Sequence, residues 1–184
     1  MAVPILAVLL VASGAAAGGE DFFGRRGDVL PFGSVSFRHT SLNNTDTNSV
    51  SVAPGVLVFP ADGFAVGLSV LYAYTTGVPV AGQTAPLRQG IHSAGFEPIV
   101  GGTIPIGDRA ALFPRLSMRF LWTIPSAPGP RVNLITIRGF VPVVFAPIRH
   151  FYLGFGPEFS ADVSASVGGK ETGIGLASEI GGWF

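Results

Sequence analysis

Arg38, Glu97, Arg115, Arg119, Arg138, Glu158, Asp162 and Glu179 are charged side chains set inside long, otherwise apolar stretches of this 184-residue chain. Three kinds of chemistry could use them. Two carboxylates flanking a scissile bond can act as acid and base, as in glycoside hydrolysis, but only in an open cleft. A ring of charges can select ions in a passage. Acids and arginines shut away from water can also neutralise one another, because an unpaired buried charge is far too costly to keep. Other reactive groups are sparse. There is no cysteine, which removes disulfides and thiol chemistry. His39, His92 and His150 stand singly, not at metal-ligand spacing. No glycine-rich loop with a following lysine matches a phosphate cradle, because the glycine pairs at 101–102, 168–169 and 181–182 sit in or beside strands. No metal and no cofactor is expected. With 11 basic and 11 acidic residues and no net charge, nothing points to nucleic acid.

The elements that carry these charges repeat with a period of two. Strands are expected at 32–41, 48–59, 63–75, 91–104, 110–123, 133–145, 151–163 and 172–184. In the third, Phe64, Val66, Leu68, Val70, Tyr72 and Tyr74 share one face, while Ala65, Gly67, Ser69, Leu71 and Ala73 share the other. The seventh sets Phe151, Leu153, Phe155, Pro157, Phe159, Ala161 and Val163 against Tyr152, Gly154, Gly156, Glu158, Ser160 and Asp162. Such strands exceed the usual ~5–6 residues of globular sheets and suit a tilted membrane strand. Prolines at 54, 98, 114, 142 and 157 should weaken individual ladders and mark bulges or strand bends. Short turns at 60–62, 105–109 and 146–150 alternate with longer polar links at 42–47, 76–90, 124–132 and 164–171, the asymmetry of membrane barrels.

Composition agrees. Apolar residues make up 48% and charged residues 12%, with 26 glycines and 15 prolines. Beyond the N-terminus no run of about 18 apolar residues exists, so helical spans are excluded and a closed barrel remains. The expected fold is all-β, an eight-stranded antiparallel up-and-down transmembrane β-barrel over 32–184. Residues 1–17 read as a signal peptide, an apolar run closed by Ala15-Ala16-Ala17, and 18–31 as a polar periplasmic lead-in. The chain is thus expected to be exported through the periplasm to a bacterial outer membrane, where it stands as a monomer in lipid and lipopolysaccharide.

With the apolar faces outward, all eight charges named above turn into the lumen, four arginines against four carboxylates. The lumen of an eight-stranded barrel is just filled by side chains, so a paired ionic plug is expected. Phe59, Tyr72, Tyr74, Trp122, Phe145, Phe151 and Phe184 lie near strand ends and are expected to form aromatic girdles. A soluble, lipocalin-like ligand-binding barrel would need the reverse partition, apolar inside and polar outside.

The ending Ile180-Gly-Gly-Trp-Phe184 resembles the C-terminal signal of bacterial outer-membrane barrels, which implies that Trp183 and Phe184 meet the barrel assembly machinery. Gly33-Ser-Val-Ser-Phe-Arg-His-Thr-Ser41, Gly102-Thr-Ile-Pro-Ile-Gly-Asp-Arg109 with Leu112-Phe-Pro-Arg-Leu116, and Phe151-Tyr-Leu-Gly-Phe-Gly-Pro-Glu158 resemble small eight-stranded proteins of the outer-membrane β-barrel domain family, relatives of outer membrane proteins A, X and W. The resemblance covers about residues 30–184 and implies a structural, adhesive or small-solute role. His39-Thr-Ser41-Leu-Asn43 is similar to the His-x-Ser-Asn stretch of the outer-membrane lipid A deacylase, which implies a hydroxyl nucleophile and its base. Leu42 interrupts that motif, and Asp46 is the one nearby carboxylate. The expected function is a non-enzymatic barrel with a structural or surface-interaction role. A narrow pore for small solutes is the alternative, and a lipid hydrolase comes after it.

Overall fold

The structure is a computed structural model that describes residues 23–42, 45–78, 89–125, 132–165 and 172–184. Eight long strands follow one another up and down. They are β1 (Val29–Leu42), β2 (Thr45–Ala61), β3 (Phe64–Val78), β4 (Gln89–Gly102, resuming as Ile104–Gly107), β5 (Ala110–Leu112, resuming as Arg115–Pro125), β6 (Val132–Phe140, resuming as Val143–Ile148), β7 (Phe151–Ala165) and β8 (Thr172–Gly182). Each pairs antiparallel with the next, and β8 returns to pair with β1, so the sheet closes into a barrel. The breaks in β5 and β6 fall at Pro114 and Pro142, where a missing N–H ends the ladder locally. Register shifts fall elsewhere, for example between Asp162 and Ser164.

Alternation decides which way each side chain points. In β3, Phe64, Leu68, Val70, Tyr72 and Tyr74 are exposed, while Ala65, Ser69 and Leu71 are buried. Close wall contacts use glycine where a neighbouring ring must lie flat. A Cβ at Gly139 would fall 1.9 Å from the Phe159 ring, and Gly139 and Phe159 are direct cross-strand partners.

At one barrel end the strands are joined by two-residue turns, Asp62-Gly63, Asp108-Arg109 and Arg149-His150. Gly63 and His150 adopt left-handed backbone, φ 71° and 64°. That is free for glycine and a cost for histidine. His150 gains in return: its Nδ1 lies 2.8 Å from the Trp183 carbonyl and its ring stacks on Phe184. At the opposite end, β1 and β2 stay paired out to Leu42↔Thr45, leaving residues 43–44 between them. The link expected at 42–47 is therefore much shorter, because the strands extend through its polar residues. Much of the other three long links (79–88, 126–131 and 166–171) lies outside the described residues, as do the proposed signal peptide at 1–17 and residues 18–22.

The core sits inside the turn end. Phe23, Leu30, Leu57, Phe59, Ile99, Phe113, Val144, Tyr152 and Trp183 cluster there, each at most 6% exposed. Phe59, expected in an aromatic girdle on the barrel's surface, is instead buried in the core. It shares its face of β2 with Ala53 and Leu57, which are also buried, so parity and not nearness to a strand end sets its direction. The stretch ahead of β1 is likewise more than a polar lead-in. Phe23 packs 5.1 Å from Tyr152, 5.5 Å from Phe113, 5.6 Å from Trp183 and 6.1 Å from Phe59, ring centre to ring centre. Backbone bonds hold it there: Gly27 N–H donates to the Phe59 carbonyl and Gly63 N–H to the Gly24 carbonyl. The Asp28 carboxylate accepts from the Gly24 and Arg25 amides, at 2.8 and 2.9 Å.

Replacing Phe23 by Ala should therefore cost about 3–5 kcal/mol, the usual loss for a buried phenylalanine. The drop would appear as a lower denaturant midpoint of the folded barrel, and an unchanged midpoint would show that this residue does not seal the end.

Candidate functional site

Above the apolar cluster the lumen becomes ionic. Glu97 comes from β4, where the alternation that turns Phe96 and Pro98 outward turns it in, and it is 1% exposed. Two arginines and a hydroxyl converge on it. Arg119 of β5 donates through Nε and Nη2 to Glu97 Oε2, both at 3.1 Å. Arg138 of β6 donates through Nη1 to Oε1 at 3.3 Å, and Ser117 Oγ donates to the same oxygen. Arg138 reaches onward through Nη2 to Glu158 Oε2 of β7 at 2.5 Å. The result is a chain, Arg119–Glu97–Arg138–Glu158, across four neighbouring strands.

A second pair lies closer to the core. Arg115 Nη2 of β5 meets Glu179 Oε2 of β8 at 2.5 Å, with the two side chains 6% and 3% exposed. These strands are not neighbours in the wall, so the pair bridges the lumen. Its guanidinium also sits over three aromatic faces, Phe113 at 4.8 Å, Phe140 at 5.0 Å and Phe32 at 5.6 Å, an arrangement that favours a desolvated cation. Further from the turn end, Asp162 of β7 accepts a bond from Thr136 Oγ1 at 2.7 Å.

Seven of the eight charges expected in the lumen are thus described, and all seven turn inward. For Arg38 the backbone pairs with Ser49, while its side chain lies outside the described ones. Among the residues whose side chains are described, no Asp, Glu, Lys or Arg of a strand lies on the outward face; Asp46, whose β2 position has outward parity, has its side chain outside them. The exposed charges Arg25, Arg26, Asp62, Asp108, Arg109 and Arg149 gather at the turn end instead.

The space left between these groups is small. A cavity of about 20 Å³ is lined by Glu97, Arg115, Ser117, Arg138, Phe140 and Glu179, among others. That is room for about one water molecule. At this level Glu97, Glu158 and Glu179 are each held in an ion pair with an arginine.

The aromatics expected in the girdles divide. Tyr72, Tyr74, Trp122, Phe145 and Phe184 are exposed on the outer wall, and Phe151 is half-buried. Tyr72 Oη lies 2.7 Å from His92 Nδ1, and Tyr74 packs on the same imidazole at 4.8 Å. His92 thereby belongs to the outer aromatic wall, a role its isolation in sequence did not suggest. Trp183 is buried in the core, whereas Phe184 is 78% exposed, so the two residues of the expected assembly signal have opposite surroundings. His39 and Ser41 pair in register with Asn48 and Asp46; their side chains lie outside the described ones. No group of three or more metal-binding side chains occurs among the described residues.

No protein-family model matches the chain, and no curated protein matches it either.

The two ionic clusters have a measurable signature. Arg138→Met should destabilise the barrel by about 3–5 kcal/mol, because Glu97 and Glu158 lose a buried partner. In a double-mutant cycle, Glu97→Gln and Arg138→Met should couple strongly, whereas Glu97→Gln and Glu179→Gln, which belong to different pairs, should come close to additive. Equal coupling in both cycles would refute the division into two clusters.

Proposed function

We propose that this protein is an integral β-barrel of a bacterial outer membrane. It presents its apolar wall to lipid, and its side-chain-filled lumen serves as a rigid ionic core. Its role is structural or surface-interacting and non-enzymatic, with the longer links at the open end offering the recognition surface, as loops on rigid scaffolds commonly do.

One observation carries this reading. The barrel is inside-out relative to a soluble ligand-binding barrel. Val35, Val50, Val56, Leu68, Val70, Phe96, Phe155 and Phe159 are exposed on the outer wall, while Glu97, Arg115 and Glu179 are buried within. In water such a wall would be an aggregation surface. In lipid it is the required one, since outward charge costs roughly 2–4 kcal/mol near mid-bilayer. Strand length supports the same reading. Fourteen residues in β1 at ~3.3 Å each, tilted by about 45°, span roughly 30 Å, the thickness of the hydrocarbon layer. The exposed tyrosines and tryptophan of β3 and β5 then lie where an interfacial girdle belongs, and the charged rim at the turn end lies in water. Resemblance of the C-terminal strand to an assembly signal adds an expected encounter with the barrel assembly machinery.

Extraction should require detergent, and Val70→Arg, in the middle of β3, should block assembly or destabilise it by about 2–4 kcal/mol. A chain that stays monodisperse in detergent-free buffer, or a Val70→Arg variant that folds like its parent, would overturn the proposal.

A further inference from the structure

The wall is not sealed evenly around its circumference. β1 pairs with β2 from Val29↔Val58 through Leu42↔Thr45, and β7 pairs with β8 from Phe151↔Gly182 through Ala161↔Thr172. Between β8 and β1 the ladder pairs among the described residues are Phe32↔Gly181 and Gly33↔Ile180. Below them lie the reciprocal Val29–Phe184 backbone bonds, each 3.1 Å. From Ser34 of β1 and Glu179 of β8 outward, each of these strands is laddered, among the described residues, to its other neighbour alone. Exposure of outward side chains reports the same break. Val35 is 72% exposed, Leu176 71% and Ile174 92%, whereas Val70 and Phe155, flanked on both sides, are 58% and 57%. β8 offers no bulk with which to close the gap. Its inward positions there are Gly173, Gly175 and Ala177, and a Cβ at Gly175 would meet nothing within 4 Å.

At the lower end of this gap the outer wall is hollowed. A cavity of about 900 Å³ is flanked on one side by Val35 and Val52, from β1 and β2, and on the other by Phe145, Leu153 and Phe155, from β6 and β7, with Ile180 of β8 between them. Its size lies toward the top of the roughly 300–1,000 Å³ typical of small-molecule sites. Glu179 borders it, with Oε2 of its carboxylate paired with Arg115 on the lumen side.

We propose that this seam is a binding site for a single-chain amphiphile drawn from the surrounding lipid. Its alkyl tail lies in the hollow and its polar end lies along the gap above. The proposal rests on the membrane reading, which makes hydrocarbon the medium at the height of Val35 and Val52. The occupant's two-part chemistry follows from the two parts of the site. The hollow is walled by aliphatic and aromatic side chains and suits a hydrocarbon chain. The edges of β1 and β8 above it carry backbone N–H and C=O groups without ladder partners, which hydrocarbon cannot satisfy and an ester, hydroxyl or carboxyl end can. A purely apolar guest would leave those edges bare, and a polar macromolecule would not fit the hollow.

The chain has no cysteine, so the seam can be closed with a defined crosslink. Continuing the Gly33↔Ile180 register brings Val35 opposite Ser178, both on the outer face. The experiment places the full chain carrying Val35→Cys and Ser178→Cys in phosphatidylcholine vesicles with spin-labelled stearic acid, and reads the motionally restricted spectral component. The parent and the reduced variant should each restrict about one chain per barrel at saturation, and oxidation should abolish that component. Val52→Trp, which fills the hollow from a fully paired part of the wall, should weaken binding at least tenfold without any crosslink. A restricted component that is absent from the parent, or unchanged by both oxidation and Val52→Trp, would overturn the site. A disulfide-linked dimer from Ser178→Cys alone would do so too, by assigning the seam to a second copy. Failure of the membrane reading would show separately, as protein that does not float with the vesicles.

Discussion

Closing eight strands into a cylinder leaves an interior only about as wide as the side chains that fill it, and every charge turned inward must find its counter-charge there. Much of this molecule follows from that constraint. Glu97 can lie 1% exposed because Arg119, Arg138 and Ser117 converge on it. Arg138 can be drawn in because it holds two acids at once. Arg115 is accommodated close to the apolar cluster because three aromatic faces and Glu179 surround it. Such pairs are weak evidence of net stability, since desolvation offsets their attraction. Their effect is on register. Slipping one strand by a residue would turn its charge to the outer wall and strand its partner inside.

The lumen is graded along its axis. Phe23, Phe59, Phe113, Tyr152 and Trp183 close the turn end with carbon. The arginines and glutamates form the middle layer. Toward the other end, Ser51, Thr75, Ser93, Thr123 and Ser160 point inward, each partly exposed. Apolar, ionic and hydroxyl layers follow one another, so the interior loosens steadily away from the turns.

The strands were legible in the sequence because the alternation survives through most of the stretch from Phe32 to Phe184, and with it the inward direction of the seven lumen charges described. What failed to show has physical reasons. Phe59 was misplaced because nearness to a strand end says nothing about which face a side chain takes. Phe23 was hidden in a polar segment with no periodicity, and only the closed barrel end creates the pocket it fills. Pairing was readable in part. Glu97, Ser117 and Arg119 sit on adjacent strands close in register, whereas Arg115 and Glu179 meet across the lumen, through a geometry no local pattern encodes. The seam was invisible altogether, because it depends on the spacing between the two strands most distant in sequence.

That distance also shapes how the barrel forms. The hairpins on either side of Asp62-Gly63, Asp108-Arg109 and Arg149-His150 join residues close in the chain, and contacts of low sequence separation form fast. The β8–β1 ladder joins Gly33 to Ile180, and so carries the largest loop-closure entropy in the molecule. An open, curved sheet with its hairpins complete is therefore the natural precursor of the barrel. In that precursor Arg115 and Glu179 are still apart, since their strands come together only as the sheet curls shut. The lumen-crossing ion pair and the cylinder should then appear in one step. A short final ladder makes that step a shallow one, and the last joint to form is also the first that thermal motion can reopen.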